Sequence, residues 1–213
     1  CSIANKYGCL TLVDAVSSAG GVPIRFDDWG IDFLITVSNK CLEGIHGVSP
    51  IVISTKGMMA IKNTVRKVWY LDFLNWDEFD TKRFNEFPHP STMPTNAIRV
   101  LNYGMKRILN RGLERHYFRY IVSSQKIRKA IQDVGLKILV NKKNLGPLLT
   151  PIDIQSPEDY KLIAYMKKNN ILIGGGLGKY KGKCVRVANM GMVSENKHTN
   201  IFIRALTNYY NNI

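Results

Sequence analysis

Two side chains stand out for the chemistry they could do together. Asp14 closes the short apolar run Leu10-Thr11-Leu12-Val13. Lys40 follows a second run, Ile31-Asp32-Phe33-Leu34-Ile35-Thr36-Val37, after Ser38 and Asn39. Short apolar runs with polar residues at their ends read as strands of a largely buried sheet. In open α/β sheets ligands sit outside the carboxyl ends of the strands, so both groups could project at one rim. A lysine amine there can condense with an aldehyde cofactor. A carboxylate there can pair with a pyridinium nitrogen and keep the ring able to draw electrons. On spacing alone a plain salt bridge, or two unrelated strand-end polar residues, is the better reading.

The elements that must position these groups follow from pattern. Ser17, Ser18, Gly20, Gly21 and Pro23 mark a loop after the first strand. Residues 51–54 form a third apolar run, which Pro50 marks as an edge or a bend. Residues 69–87 are aromatic and read as irregular, with Pro88, Pro90 and Pro94 breaking regular structure. Ile98, Leu101, Met105 and Ile108 have helical spacing, which predicts a helix over 95–110 interrupted at Gly112. A second helix is predicted over 113–134, with Gly135 as its stop. Strands are expected at 136–140, 151–155, 171–173 and 184–188. Ser156-Pro157-Glu158-Asp159 is a helix start, a cap followed by proline and acids in the first turn, running to about residue 168. A terminal helix is expected over 195–210. Residues 1–8 read as the tail of a helix with a glycine stop, which suggests a fragment or a product of processing. The expectation is an α/β fold: part of a mostly parallel-sheet large domain over 1–110 with its linking helix, then a small α+β domain over 111–213.

The local sequences narrow the choice. Val13-Asp14-Ala15-Val16-Ser17-Ser18-Ala19-Gly20-Gly21-Val22-Pro23 resembles the stretch that carries the pyridine-binding aspartate in class V aminotransferases of the fold-type-I kind. Gly30-Ile31-Asp32-Phe33-Leu34 and Ser38-Asn39-Lys40-Cys41-Leu42-Glu43-Gly44 resemble that family's cofactor-lysine segment, in the same order and at a similar interval. Thr92-Met93-Pro94-Thr95 resembles its Thr-x-Pro-Thr segment, and Cys184-Val185-Arg186-Val187-Ala188-Asn189-Met190-Gly191 its substrate-arginine strand.

The resemblance implies a transaminase that uses pyridoxal 5'-phosphate, an amino donor and a 2-oxo acid acceptor. Lys40 would be the catalytic lysine and Asp14 the partner of the cofactor ring. Ser18 and Asn39 would be further cofactor contacts. Thr92 would reach a cofactor phosphate across a homodimer interface, and Arg186 would bind the substrate's anionic group. The Ser38-Asn39-Lys40-Cys41 and Arg186 runs lean toward the branch acting on 2-aminoethylphosphonate and pyruvate. Ile173-Gly174-Gly175-Gly176-Leu177-Gly178 leans toward the alanine–glyoxylate or serine–pyruvate branch. Asn39 argues against cysteine desulfurases, which carry histidine before the lysine. The family's upstream half, with its phosphate loop and ring-stacking aromatic, has no counterpart in these residues, which leaves an inactive fragment as a further alternative. His46 stands where relatives often have proline.

Composition restricts the remaining classes. With 30 Lys+Arg against 16 Asp+Glu the net charge is +14. Such a field attracts polyanions, but no compact basic run or RNA-binding aromatic motif accompanies it, so nucleic acid is not the expected partner. The cysteines Cys1, Cys9, Cys41 and Cys184 are scattered and show no metal-ligand spacing. They read as reduced thiols of a cytoplasmic protein. Cys41 has two readings, a thiol activated by the neighbouring cation or a packing residue. The isolated histidines His46, His89, His116 and His198 predict no metal site. No apolar run approaches the roughly 20 residues of a membrane span. Residues 174–183, rich in glycine and lysine, fail the spacing of a phosphate loop and read as flexible.

Overall fold

Short apolar strands lie early in the chain, a run of helices follows, and strands and helices are mixed in the remainder. The computed structural model describes residues 1–65, 68–82 and 89–212. Helix α1 (Ser2–Lys6) precedes strands β1 (Leu12–Asp14), β2 (Phe33–Ile35) and β3 (Ile51–Ile53). Helices α2 (Thr55–Lys62), α3 (Phe73–Thr81), α4 (Thr95–Arg111) and α5 (Leu113–Asp133) follow. The rest comprises β4 (Leu149–Asp153), α6 (Pro157–Lys168), β5 (Gly174–Gly175), β6 (Cys184–Ala188) and α7 (Asn196–Asn211).

The first sheet has the order β1-β2-β3. Strands β1 and β2 are parallel, with Asp14 opposite Ile35, and β3 pairs antiparallel with β2. Parallel pairing brings the carboxyl ends of β1 and β2 to one rim, which the Asp14 and Lys40 reading requires. Ala15, Ile31 and Leu34 form the small core on this sheet. At its opposite end Asp32, 3% exposed, accepts from the Thr11 N–H at 2.9 Å, the Ser54 hydroxyl at 3.1 Å and the Lys56 amine at 3.4 Å. Burial alone would push this carboxyl up, but those donors outweigh it and hold it below the usual range. Asp32 thus ties the starts of β1, β2 and α2 together.

The second sheet, β4-β6-β5, is antiparallel throughout. Helices α5, α6 and α7 pack over it in the main core, which includes Ile127, Ile131, Ile152, Leu162, Met166, Val185 and Leu206. Ser156 caps α6 in a reciprocal box with Asp159: the Asp159 N–H donates to the Ser156 hydroxyl at 3.2 Å, and the Ser156 N–H donates to Asp159 Oδ2 at 3.0 Å. Helices α4 and α5 meet at Gly112, whose φ of 82° only glycine adopts at low cost.

Several expected elements differ. Residues 136–140 make only an isolated bridge, Ile138 with Ile152. The Leu139 N–H reaches the Pro151 carbonyl at 3.0 Å, but proline has no N–H to return the bond, so the ladder stops. The strand expected at 171–173 begins at Gly174 instead, because Ile171 still closes the end of α6 by donating to the Met166 carbonyl at 2.9 Å. Residues 73–81, within the stretch read as irregular, form α3, capped by the Asp72 carboxylate accepting from the Leu74 N–H. Residues 83–87 of that stretch, and Pro88 after it, lie outside the described residues. On α4 the buried face is Ala97, Leu101, Gly104 and Ile108, whereas Met105 is 39% exposed.

Candidate active site

Asp14 and Lys40 stand on segments that leave the same rim of the first sheet. The Lys40 amine donates to the Ser17 hydroxyl at 2.8 Å, joining the loop after β2 to the loop after β1. Asp14 is exposed, and its Oδ1 accepts from the Val16 N–H at 2.9 Å. Neither group forms an ion pair among the described residues, so the simple Asp14–Lys40 salt bridge does not form. The rim therefore carries a lysine amine held by a neutral hydroxyl and a carboxylate with an oxygen to spare. That donor set suits a ligand with an electrophilic carbon and a basic ring nitrogen.

The other predicted residues divide. Ser18 is half-buried in the turn between β1 and Gly21, where the Gly21 N–H donates to its carbonyl at 2.8 Å. The Asn39 amide meets His46 Nε2 at 3.0 Å, so the position where proline was expected packs across the lysine loop. Arg186 lies on β6 in the second sheet, opposite Pro151 and Gly174, and its Nε donates to the Gly175 carbonyl at 2.7 Å. Thr92 is exposed just before α4, which opens at Thr95 after Pro94. The structure thus gathers Asp14, Ser18, Asn39 and Lys40 on one sheet's loops, and leaves Thr92 and Arg186 on separate elements.

The lysine loop is held from several sides. The Glu43 N–H donates to the Lys40 carbonyl at 3.1 Å, and the Gly44 N–H donates to the Ser38 carbonyl at 2.8 Å. The Ser38 hydroxyl donates to the Ile45 carbonyl. Cys41 is 1% exposed and packs with Tyr120 and Leu148. Burial pushes its thiol up, so of its two readings the packing one holds. Gly191, which follows the Arg186 strand, packs against the Lys40 backbone: a Cβ there would stand 2.8 Å from the Lys40 carbonyl oxygen.

Sequence reasoning passed over two residues here. Ser17 holds the lysine amine; its place three residues past Asp14, beside Ser18, was the available signal. Glu43 has side-chain exposure of 0% and meets Arg119 at 2.6 Å and Arg111 at 3.4 Å. Those partners are 76 and 68 residues away, so no local pattern marks it.

The family model for aminotransferase class V matches residues 1–192. Alanine–glyoxylate aminotransferase of Rattus norvegicus is 29% identical over 199 residues, covering 89% of this chain and 47% of that protein. The 2-aminoethylphosphonate–pyruvate transaminase of Vibrio vulnificus is 26% identical over 198 residues, covering 90% and 52%. Among solved structures, alanine–glyoxylate aminotransferase from Nostoc sp. superimposes with a TM-score of 0.90 at 30% identity, covering 98% of this chain and 55% of that one. A cysteine desulfurase from Thermococcus onnurineus shares the fold at a TM-score of 0.73 and 15% identity. The chain spans about half the length of the curated relatives it matches.

Proposed function

Given that the chain belongs to the class V aminotransferases, we propose that it supplies the lysine-bearing part of a pyridoxal 5'-phosphate-dependent transaminase. The observation that carries this reading is the Lys40 amine at the sheet rim, hydrogen-bonded to Ser17 and paired with no carboxylate among the described residues, with the exposed Asp14 carboxylate at the end of the neighbouring strand. Pyridoxal phosphate supplies an aldehyde carbon open to a primary amine and a protonated ring that draws electrons from a bound amino compound.

The residues then have distinct tasks. Lys40 Nζ would be the group that holds the cofactor, and its free amine would serve as the base at the donor's amine-bearing carbon. Asp14 is the partner of the ring nitrogen, and Ser18 and Asn39 are cofactor contacts. Arg186 clamps the donor's carboxylate or phosphonate with its planar fork. Thr92, exposed ahead of α4, serves a neighbouring subunit, which makes the working form a homodimer. Two sheets with separate cores support a division of labour near residues 110 and 111, between a cofactor-binding part and a small α+β part.

The preferred donor is 2-aminoethylphosphonate, with pyruvate as the acceptor. A second reading, alanine with glyoxylate, is favoured by the 30% identity to the Nostoc protein. Amino transfer from 2-aminoethylphosphonate, alanine and serine to pyruvate and glyoxylate tests both. The assay should use the chain alone and the chain joined to the remaining length its relatives possess. Transfer that Lys40→Ala abolishes supports the reading. Undiminished transfer in that variant, or none from the completed protein, removes it.

A further inference from the structure

Among the described residues, Glu43 is the most tightly enclosed ionised group next to the lysine loop. Its side-chain exposure is 0%, and three guanidiniums surround it: Arg119 at 2.6 Å, Arg111 at 3.4 Å and Arg107 at 3.8 Å. Arg107 and Arg111 belong to α4 and Arg119 to α5, so one carboxylate bridges both helices across their joint. Burial alone would push this carboxyl up, yet the Arg119 hydrogen bond and the three positive charges hold it below the usual range. His116, 0% exposed, stands in the same cluster, with the Arg111 guanidinium 2.8 Å from its Nδ1. Arg107 and Arg119 also meet Glu195, in the segment between Gly191 and α7.

The backbone adds an independent observation. Glu43 has φ of 59°, in the left-handed region that side-chain-bearing residues seldom occupy. Such a conformation persists where the surroundings over-determine it. Here α4 presses directly on the turn: a Cβ on Gly104 would stand 2.5 Å from the Leu42 carbonyl oxygen and 2.9 Å from that of Glu43.

We propose that Glu43 is a positioning residue for the Lys40 amine: its carboxylate, closed in by Arg107, Arg111 and Arg119, locks the 40–44 turn onto the α4–α5 joint. The turn begins at Lys40 and closes by the Glu43 N–H to Lys40 carbonyl bond at 3.1 Å, so the side chain that anchors Glu43 also fixes where the Lys40 Cα stands. The consequence for the amine rests on the reading of Lys40 as the cofactor lysine. The lock itself does not.

The test compares the 213-residue chain with Glu43→Gln, Glu43→Gly and Glu43→Asp. Hydrogen exchange of amides 38–46 reads the lock without any cofactor. Borohydride-reduced pyridoxal phosphate, mapped by peptide mass, reads the selectivity for Lys40 over the other lysines. Glu43→Gln should raise exchange across 38–46 at least tenfold, leave the β4-β6-α6 core protected, and lower Lys40 selectivity by a similar factor. Glu43→Gly removes the backbone strain and should still lose the lock, because the carboxylate and not the φ angle is the anchor. Glu43→Asp should recover part of both readouts. A folded Glu43→Gln protein whose exchange stays within twofold of the parent overturns the inference, as does full protection in Glu43→Gly. If neither folds, Glu43→Asp and Arg107→Gln decide it: raised exchange confined to 38–46 supports the lock, and unchanged exchange overturns it. Absence of label on Lys40 in the parent chain counts against the proposed function instead, since exchange reports the lock independently.

Discussion

Replacing Gly104 by alanine sets two effects against each other. In a helix interior alanine is better than glycine by about 0.5–1 kcal/mol, because glycine loses more backbone freedom. At this position, however, the new Cβ would stand 2.5 Å from the Leu42 carbonyl oxygen, roughly 1 Å short of ordinary contact. The atom it meets is backbone, in a turn also fixed by Glu43 and the arginines of α4 and α5, so it cannot rotate away. Overpacking of this kind costs about 1–3 kcal/mol, and this geometry belongs in the upper half of that range. The balance is a net loss of about 1–2.5 kcal/mol, or a fall in melting temperature of about 2–10 °C for a chain of this size. Thermal unfolding followed by circular dichroism reads it, with Gly146→Ala as the control. Gly146 has no atom within 4 Å of its ideal Cβ and no positive φ, so that change should be neutral or stabilise by up to about 1 kcal/mol. A Gly104→Ala protein that melts at or above the parent temperature would show that α4 does not press on the lysine turn as described.

Two further predictions concern buried titratable groups. Cys1 and Cys9 are exposed, whereas Cys41 and Cys184 are buried and burial pushes the Cys41 thiol up. Iodoacetamide at neutral pH should therefore modify the first two quickly and Cys41 only under denaturing conditions, a contrast of at least about a hundredfold read by peptide mass. Burial and the neighbouring arginines, Arg119 foremost, hold His116 below its ordinary value of 6.5, and Glu43 is held below 4.5. In both cases the unfolded chain binds the proton more readily, so stability is full above the unfolded value and falls as pH drops. Urea unfolding should show a first loss below pH 6.5 that disappears in His116→Gln, and a second below pH 4.5 that remains.

Much of this architecture is written locally in the chain. The strand ending at Asp14, the break at Gly112 and the Ser156 box each depend on residues within a few positions of one another, and each stands where it was expected. What escaped depends on distance or on a competing bond. The 136–140 segment has strand-like composition but lies beside Pro151, whose missing N–H faces it. Ile171 and Ile173 have apolar side chains that reach the core, while the Ile171 backbone is spent closing α6. Helix α3 carries weak apolar periodicity, and the short helices α2 and α3 start at the caps Ser54 and Asp72. At the candidate site, the placement of Asp14 and Lys40 at one rim of the sheet was legible from the strand ends. Ser17 and Glu43 were not, because their partners lie 23 to 76 residues away.

The assignment of Lys40 is tested most directly by trapping. The chain is incubated with pyridoxal phosphate over a range of concentrations, reduced with borohydride, digested and mapped by mass, beside Lys40→Ala and Asp14→Asn. Label concentrated on Lys40, lost in Lys40→Ala and requiring at least tenfold more cofactor in Asp14→Asn, is the predicted result. Label spread across surface lysines, unchanged by either substitution in a folded chain, would contradict the account.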